Sequence, residues 1–189
     1  MLCTIPEQNS PLPNITYNYG DGFHISHAIA QADALGIFGR EGLFAASWQS
    51  LGYPETIDNP FYANSFITGA FDMYLDYDGK GSSVGDRSLT LDNPDGARLS
   101  LYAMKSTKDP TLLHIIAINK TTTETPIGIQ LVGIGATAKT AAVYRLTASS
   151  LKPKAAGQIT LLNDSSLVED RTLYDRLPPL SVTTFEIRK

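Results

Sequence analysis

The 189-residue sequence has one cysteine, one tryptophan and three histidines. Cys3 has no second thiol to meet, so an internal disulfide is impossible and a metal site built from several cysteines is excluded. No apolar run approaches the roughly 20 residues that cross a bilayer, so no membrane partner is expected. The opening, Met1-Leu2-Cys3-Thr4-Ile5-Pro6, lacks a basic region and an apolar stretch, so no signal peptide is visible in this chain. Lysine and arginine total 15 against 19 acidic residues, a net charge of −4. That balance disfavours nucleic acid, because phosphate binding needs clustered cations. Internal repeats and low-complexity segments are absent. Gly133-Ile134-Gly135 lacks the later glycine and the strand–turn–helix setting of a nucleotide loop. His24 and His27 lie close to Asp21, but three residues of this spacing define no coordination geometry, and solvated loop and helix-start roles account for them. Neither a metal nor a cofactor is expected.

What is present is an ordinary globular balance, 42% hydrophobic and 18% charged. The patterning changes near residue 80. Ile15-Thr16-Tyr17-Asn18-Tyr19 reads as a short strand closed by Gly20-Asp21-Gly22. Ile25, Ala28, Ile29, Ala32, Leu35 and Gly36 then recur at three- and four-residue spacing, which predicts a helix. His24 or Ser26 stands near its start, and Arg40 suits its C-terminal dipole. Asp33, midway along it among apolar residues, is read as paired with a neighbouring element. Leu43-Phe44-Ala45-Ala46-Ser47-Trp48 is nearly continuous apolar, the pattern of a strand buried on both faces. A loop with Pro54 and Pro60 leads to a second helix over about residues 63–75. Strand, helix, strand, helix of this size are two βα units, the repeating part of a parallel sheet or barrel.

After Gly79 the helical period disappears. Candidate strands are residues 88–91, 99–104, 112–118, 127–132, 140–146, 159–162 and 182–187. Turn signals such as Asp92-Asn93-Pro94-Asp95-Gly96, Lys108-Asp109-Pro110 and Lys152-Pro153-Lys154 separate them. Short, evenly spaced strands argue an antiparallel sandwich. The expected fold class is therefore mixed. Residues 1–80 form a partial (β/α) barrel segment of two βα units, and residues 81–189 form a C-terminal all-β sandwich. The sandwich has no tryptophan and its aromatics are scattered, which argues against a flat platform for crystalline cellulose. Asn14, Asn119 and Asn163 each begin an Asn-X-Ser/Thr triplet.

The order of these blocks points to a family. Ile15-Thr16-Tyr17-Asn18-Tyr19-Gly20, His24-Ile25-Ser26 and the long run from Ala30-Gln31-Ala32-Asp33 to Gly39-Arg40-Glu41-Gly42 resemble the end of the catalytic domain in glycoside hydrolase family 44. The similarity continues through Ala45-Ala46-Ser47-Trp48 and Tyr77-Asp78-Gly79-Lys80-Gly81. Leu177-Pro178-Pro179-Leu180-Ser181-Val182-Thr183-Thr184-Phe185 looks like the last strand of the appended sandwich. Members of that family are endo-acting β-1,4-glucanases and xyloglucanases. The resemblance implies a β-glucan polysaccharide or oligosaccharide as partner, an extracellular location and no cofactor. It covers nearly all of this chain and only the back part of a full family member. By the resemblance, Tyr17, Asn18 and Tyr19 follow the nucleophile position and line a sugar cleft, and Trp48 corresponds to an active-site tryptophan. Packing roles are the alternative for each.

One departure bears on the chemistry. The family motif reads Ile-Thr-Glu-Tyr, its Glu being the nucleophile of a retaining mechanism. Here Tyr17 directly follows Ile15-Thr16, and no glutamate occurs between Glu7 and Glu41. Loss of one residue from a strand reverses the facing of the side chains beyond the gap. The family's acid/base glutamate belongs to an earlier barrel segment. Retaining hydrolysis needs two carboxyl groups roughly 5–5.5 Å apart, and neither family carboxylate is at hand. Asp21 is a weak candidate substitute, and turn chemistry favours reading it as an Asp-Gly turn residue. Three readings follow. One is a family 44-like glycosidase piece, inactive or weakly active alone. Another is a non-catalytic carbohydrate-binding or structural β-sandwich module. The third is an enzyme rebuilt on Asp21 or Glu41. Two βα units leave apolar surface for a homodimer, for repacking against the sandwich, or for aggregation.

Overall fold

A computed structural model describes residues 15–18, 22–43, 45–48, 65–93, 95–134, 137–163 and 170–189. Strands β1, Ile15–Tyr17, and β2, Ala46–Trp48, pair in parallel, and helix α1, Ile25–Glu41, lies between them in sequence. Helix α2, Phe66–Leu75, follows. Strands β3, Arg87–Leu89, β4, Leu99–Lys105, β5, Leu112–Asn119, β7, Thr140–Leu146, β8, Lys154–Thr160, and β10, Ser181–Arg188, make one six-stranded sheet. Its order is β3-β4-β5-β10-β7-β8. Strands β6, Thr125–Leu131, and β9, Arg171–Leu177, form a separate antiparallel pair.

The large sheet is the middle layer. Side chains alternate across a strand, and here the two sets enter two different cores. Ile116, Ile118, Leu146 and Val182 pack with Ile25, Ala28, Phe66 and Met73 of the helices. Ile115, Ala117, Val143 and Phe185 pack with Ile127, Ile129, Leu173 and Leu177 of β6 and β9. Residues 113–119 are consequently all buried.

Local chemistry sets the helix ends. His24 is extended, and its Nδ1 accepts a hydrogen bond from the Ser26 amide at 3.2 Å, capping α1. The helix stops at Gly42, whose left-handed φ of 68° carries its amide back to the Phe38 carbonyl. Ser65 caps α2 by accepting from the Thr68 amide at 3.2 Å.

Close approach seats α1 on the sheet. A methyl group at Gly36 would stand 2.3 Å from the Tyr102 ring. The Tyr102 hydroxyl donates to the Asp33 carboxylate at 2.6 Å, and Lys120 pairs with the same carboxylate at 2.7 Å. Asp33 is thus the joint between α1 and strands β4 and β5. Burial pushes its carboxyl up, but hydrogen bonds from Lys120, Ser100 and Tyr102 outweigh this and hold it below the usual range.

Three sequence expectations change. The stretch 43–48, read as a strand buried on both faces, contributes only the three residues of β2, with Ser47 exposed. The strand expected at 159–162 begins instead at Lys154, directly after the Lys-Pro turn. Strand β9 was not anticipated, because Arg171, Asp175 and Arg176 interrupt its apolar residues. Arg145 of β7 donates to both Asp175 oxygens at 2.8 and 2.6 Å, so charge on β9 is paired with the sheet opposite. Asn119 is also withdrawn as a modification site. It is fully buried, and its amide donates to the carbonyls of Thr123 and Pro178 at 2.8 Å each, tying two turns together.

Because the Gly36 position is filled by the Tyr102 ring, Gly36→Ala should lower unfolding free energy by about 1–3 kcal/mol, the usual cost of overpacking. Urea denaturation reads this directly, and a variant as stable as the parent would contradict the close seating.

Candidate functional site

The site is built at the C-terminal ends of the parallel pair. In β1–β2 the register places Ile15 beside Ala46, Thr16 beside Ser47 and Tyr17 beside Trp48. Two residues named from the sequence therefore stand side by side at adjoining strand ends. In-register neighbours leave a sheet on the same face. That face is the α1 side. Tyr17 accepts a hydrogen bond from Gln31 Nε2 at 2.8 Å, and its ring meets Phe38 edge-on, centroids 5.3 Å apart at 73°. Thr16 and Ser47, on the other face, are exposed. Asn18, half-buried, follows directly at the strand end. Tyr19 and Asp21 lie outside the described residues.

The turn after β1 is anchored. The Gly22 amide donates to His27 Nδ1 at 3.1 Å, and the Gly22 carbonyl accepts from the Phe66 amide at 2.9 Å. His24 and His27 thus serve the α1 start and the turn before it. Among the described residues no group of three or more His, Cys, Asp or Glu is gathered to hold a metal. Glu41 ends α1 and pairs with Arg40 at 2.8 Å in an exposed position. A helix of this length carries its last residue about 25 Å from its first, so Glu41 stands far from the turn that follows Tyr17.

A second cluster of polar side chains lies where the helical layer meets the large sheet. Tyr77 donates to Glu186 Oε2 at 2.7 Å and stands 3.0 Å from His114 Nε2. A carboxylate only accepts. With the tyrosine proton committed to Glu186, His114 Nε2–H donates to the tyrosine oxygen and Nδ1 is bare. Nδ1 is buried and has no partner among the described residues, so a proton there would go unpaired. Burial, and after it Arg188, lower the His114 pKa against the opposing pull of Glu186. Burial first, and the bond to Glu186 second, push the Tyr77 hydroxyl far above its ordinary value. The cluster is a proton-committed lock between the layers, a neutral imidazole and phenol held against the Glu186 carboxylate. Sequence offered one signal for it: His114 shares the alternation of Ile116 and Ile118, which face the helices. Its partner Tyr77, 37 residues away, and Glu186, 109 residues from Tyr77, had none.

No protein-family model matches the sequence. A β-mannanase/endoglucanase A from Caldicellulosiruptor saccharolyticus is 39% identical over 105 residues, 55% of this chain and 7% of that protein. The family 44 xyloglucanase of Paenibacillus polymyxa superposes with a TM-score of 0.75 and 26% identity, over 93% of this chain and 31% of its own. CelM2, a bifunctional glucanase-xylanase from a metagenome library, gives 0.75 and 33% over 92% and 30%. The chain is a relative of glycoside hydrolase family 44. It spans about a third of the family 44 structures it matches. The likeness runs through both the βαβ unit and the sheets, as the sequence blocks had implied.

His114 supplies a pH test. Its folded pKa lies below the unfolded value of about 6.5. The stability it permits is full above that value and is lost as pH falls from it toward the folded pKa, where the unfolded chain takes a proton the folded one refuses. Unfolding free energy should therefore decline between pH 7 and 5.5 in urea titrations. A flat profile in that window would remove the buried neutral imidazole.

Proposed function

We propose that this chain is part of a glycoside hydrolase that cuts within β-1,4-glucans such as cellulose and xyloglucan, outside the cell where these polymers occur. Residues 1–80 act as two βα units of a (β/α) barrel, and residues 81–189 as the β-sandwich beside it. The observation that carries this is the parallel β1–β2 pair, with Tyr17 and Trp48 in register at the C-terminal strand ends, inside a chain that follows family 44 structures along its length. Barrel enzymes place their sites at those strand ends. Tyr17, Asn18, Tyr19 and Trp48 border the sugar there, and Gln31 and Phe38 of α1 hold the Tyr17 ring in place.

Alone, the chain is inactive or weakly active. Neither β1 nor β2 carries a carboxylate, and Asp21 by itself cannot be both nucleophile and acid across one glycosidic bond. Carboxymethylcellulose and xyloglucan should release no reducing ends above a heat-treated control. Sustained turnover by the purified chain would sink this reading.

The same missing carboxylates favour a second reading, a non-catalytic carbohydrate-binding or structural module that keeps Trp48. Exposed Phe23, Ile37 and Leu75 on the helical segment offer the surface for a homodimer under either reading. Trp48 is the sole indole, so emission reports on it alone. Cello-oligosaccharide should shift that emission, and Trp48→Ala should weaken binding about tenfold by calorimetry, roughly 1.4 kcal/mol. Absence of both heat and spectral change at millimolar sugar removes sugar binding from either reading.

A further inference from the structure

The β6–β9 pair has an outer face. Ile127, Ile129, Leu173 and Leu177 enter the core beneath it. Alternation therefore turns Pro126, Gly128, Gln130, Tyr174 and Arg176 outward, and all five are exposed. The register sets Pro126 beside Arg176, Gly128 beside Tyr174 and Gln130 beside Thr172. Leu162 bridges to Thr172 and extends that row, itself 49% exposed.

Tyr174 is the centre of this face. A methyl group at Gly128 would stand 2.9 Å from its Cε1 and 3.3 Å from its Cδ1. The ring thus reclines across the neighbouring strand, in the space a side chain there would fill. Glycine inside a strand weakens it and often marks a place where another group comes close. Here that group is an aromatic ring, supported from beneath and still 48% exposed. Arg176 lies two residues along β9, about 7 Å away, and pairs with Glu124 at 3.0 Å. Gln130 stands on the diagonal at about 7–8 Å. Arg176 is the one charged outward residue of the two strands, and Glu124 offsets it.

We propose that this face is a second glucan-binding site, where one sugar of a single β-1,4-glucan chain stacks on Tyr174 and the sugars either side hydrogen-bond to Arg176 and Gln130. The choice of sugar rests on the reading of the chain as part of a β-glucan hydrolase; the position does not. A pyranose ring has apolar C–H faces and a rim of hydroxyls. A tyrosine ring offers an apolar body to such a face, and flanking guanidinium and carboxamide groups bond the rim. The offset charge suits a neutral polymer. A protein partner fits poorly. Two seven-residue strands make a strip about 24 Å by 10 Å, about 240 Å², against the roughly 800 Å² that each partner of a stable complex buries. The face lies beyond the β6–β9 layer, whereas Tyr17 and Trp48 lie on the helical side of the large sheet. A chain held here is tethered without entering the strand-end site.

The probe is cellohexaose, titrated into the intact chain and its Trp48→Ala variant by calorimetry, with backbone amide shifts followed by NMR. Saturable binding should survive Trp48→Ala, with shifts at Gly128, Gln130 and Tyr174. Tyr174→Ala should remove those shifts and weaken this binding about tenfold, while Tyr174→Phe, which keeps the ring, stays close to the parent. Gln130→Ala and Arg176→Ala, both at exposed positions, should each weaken it without moving the melting temperature, and they carry the test if Tyr174→Ala does not fold. Shifts confined to the surroundings of Trp48 overturn this inference and leave the hydrolase reading standing. Shifts on β6 and β9 that persist in Tyr174→Ala, or in Gln130→Ala and Arg176→Ala together, overturn it as well. Shifts on this face that grow with protein concentration and need no sugar assign it to a second copy and overturn it too.

Discussion

Burial of β5 and β10 on both faces is the constraint on which the rest of the molecule depends. A strand covered on one side alternates apolar and polar residues, whereas these two run almost unbroken through the interior. Each fully buried aliphatic or aromatic side chain contributes about 1.5–3 kcal/mol only while something dry lies against it. Two layers are therefore required, and the chain supplies them differently. Helices α1 and α2 close one face, and β6 with β9 closes the other. The polar residues in these strands are placed to match. Thr184 donates to the Met73 carbonyl at 3.1 Å, and His114 meets Tyr77, so both bind the helical segment to the sheet. Asn119 does the same for the turns leading to β6 and β10.

The helical layer in turn places the candidate site. α1 lies on β4 through Gly36 and Asp33, and its other side meets Tyr17 through Gln31 and Phe38. The position of the parallel strand ends is thus transmitted from the sandwich through both helices, α1 by these contacts and α2 by the Phe66 amide on the Gly22 carbonyl. The sheet acts as a rigid seat whose hydrogen bonds fix how α1 stands. Among the described residues the cover opposite is two strands wide over a sheet of six, and a cleft lies beside β6.

Several elements were open to inspection in the linear sequence. Period-3.6 spacing exposed α1, with His24 and Arg40 near its termini. β-Branched runs between turn signals exposed β4, β5, β7 and β10. β9 stayed hidden because buried Leu173 and Leu177 alternate irregularly with charges that find partners only across the fold. Asp33 was legible as a paired charge, but its partner Lys120 lies 87 positions away and no local rule names it. Tyr17 and Trp48 were recognisable as strand-end aromatics. Their facing was not, because a strand of three residues is too short to show its own period.

The sequence by itself determined the segments with strong local signals, the change of architecture near residue 80, and the absence of a glutamate after Thr16. These depend on residue type and near-neighbour spacing alone. Tertiary structure decided the rest. Which face Tyr17 and Trp48 present, why His114 stays neutral and where the second sheet stops short are set by groups far apart in the chain. Their energies exist only once α1 and β9 have been laid against opposite faces of one sheet.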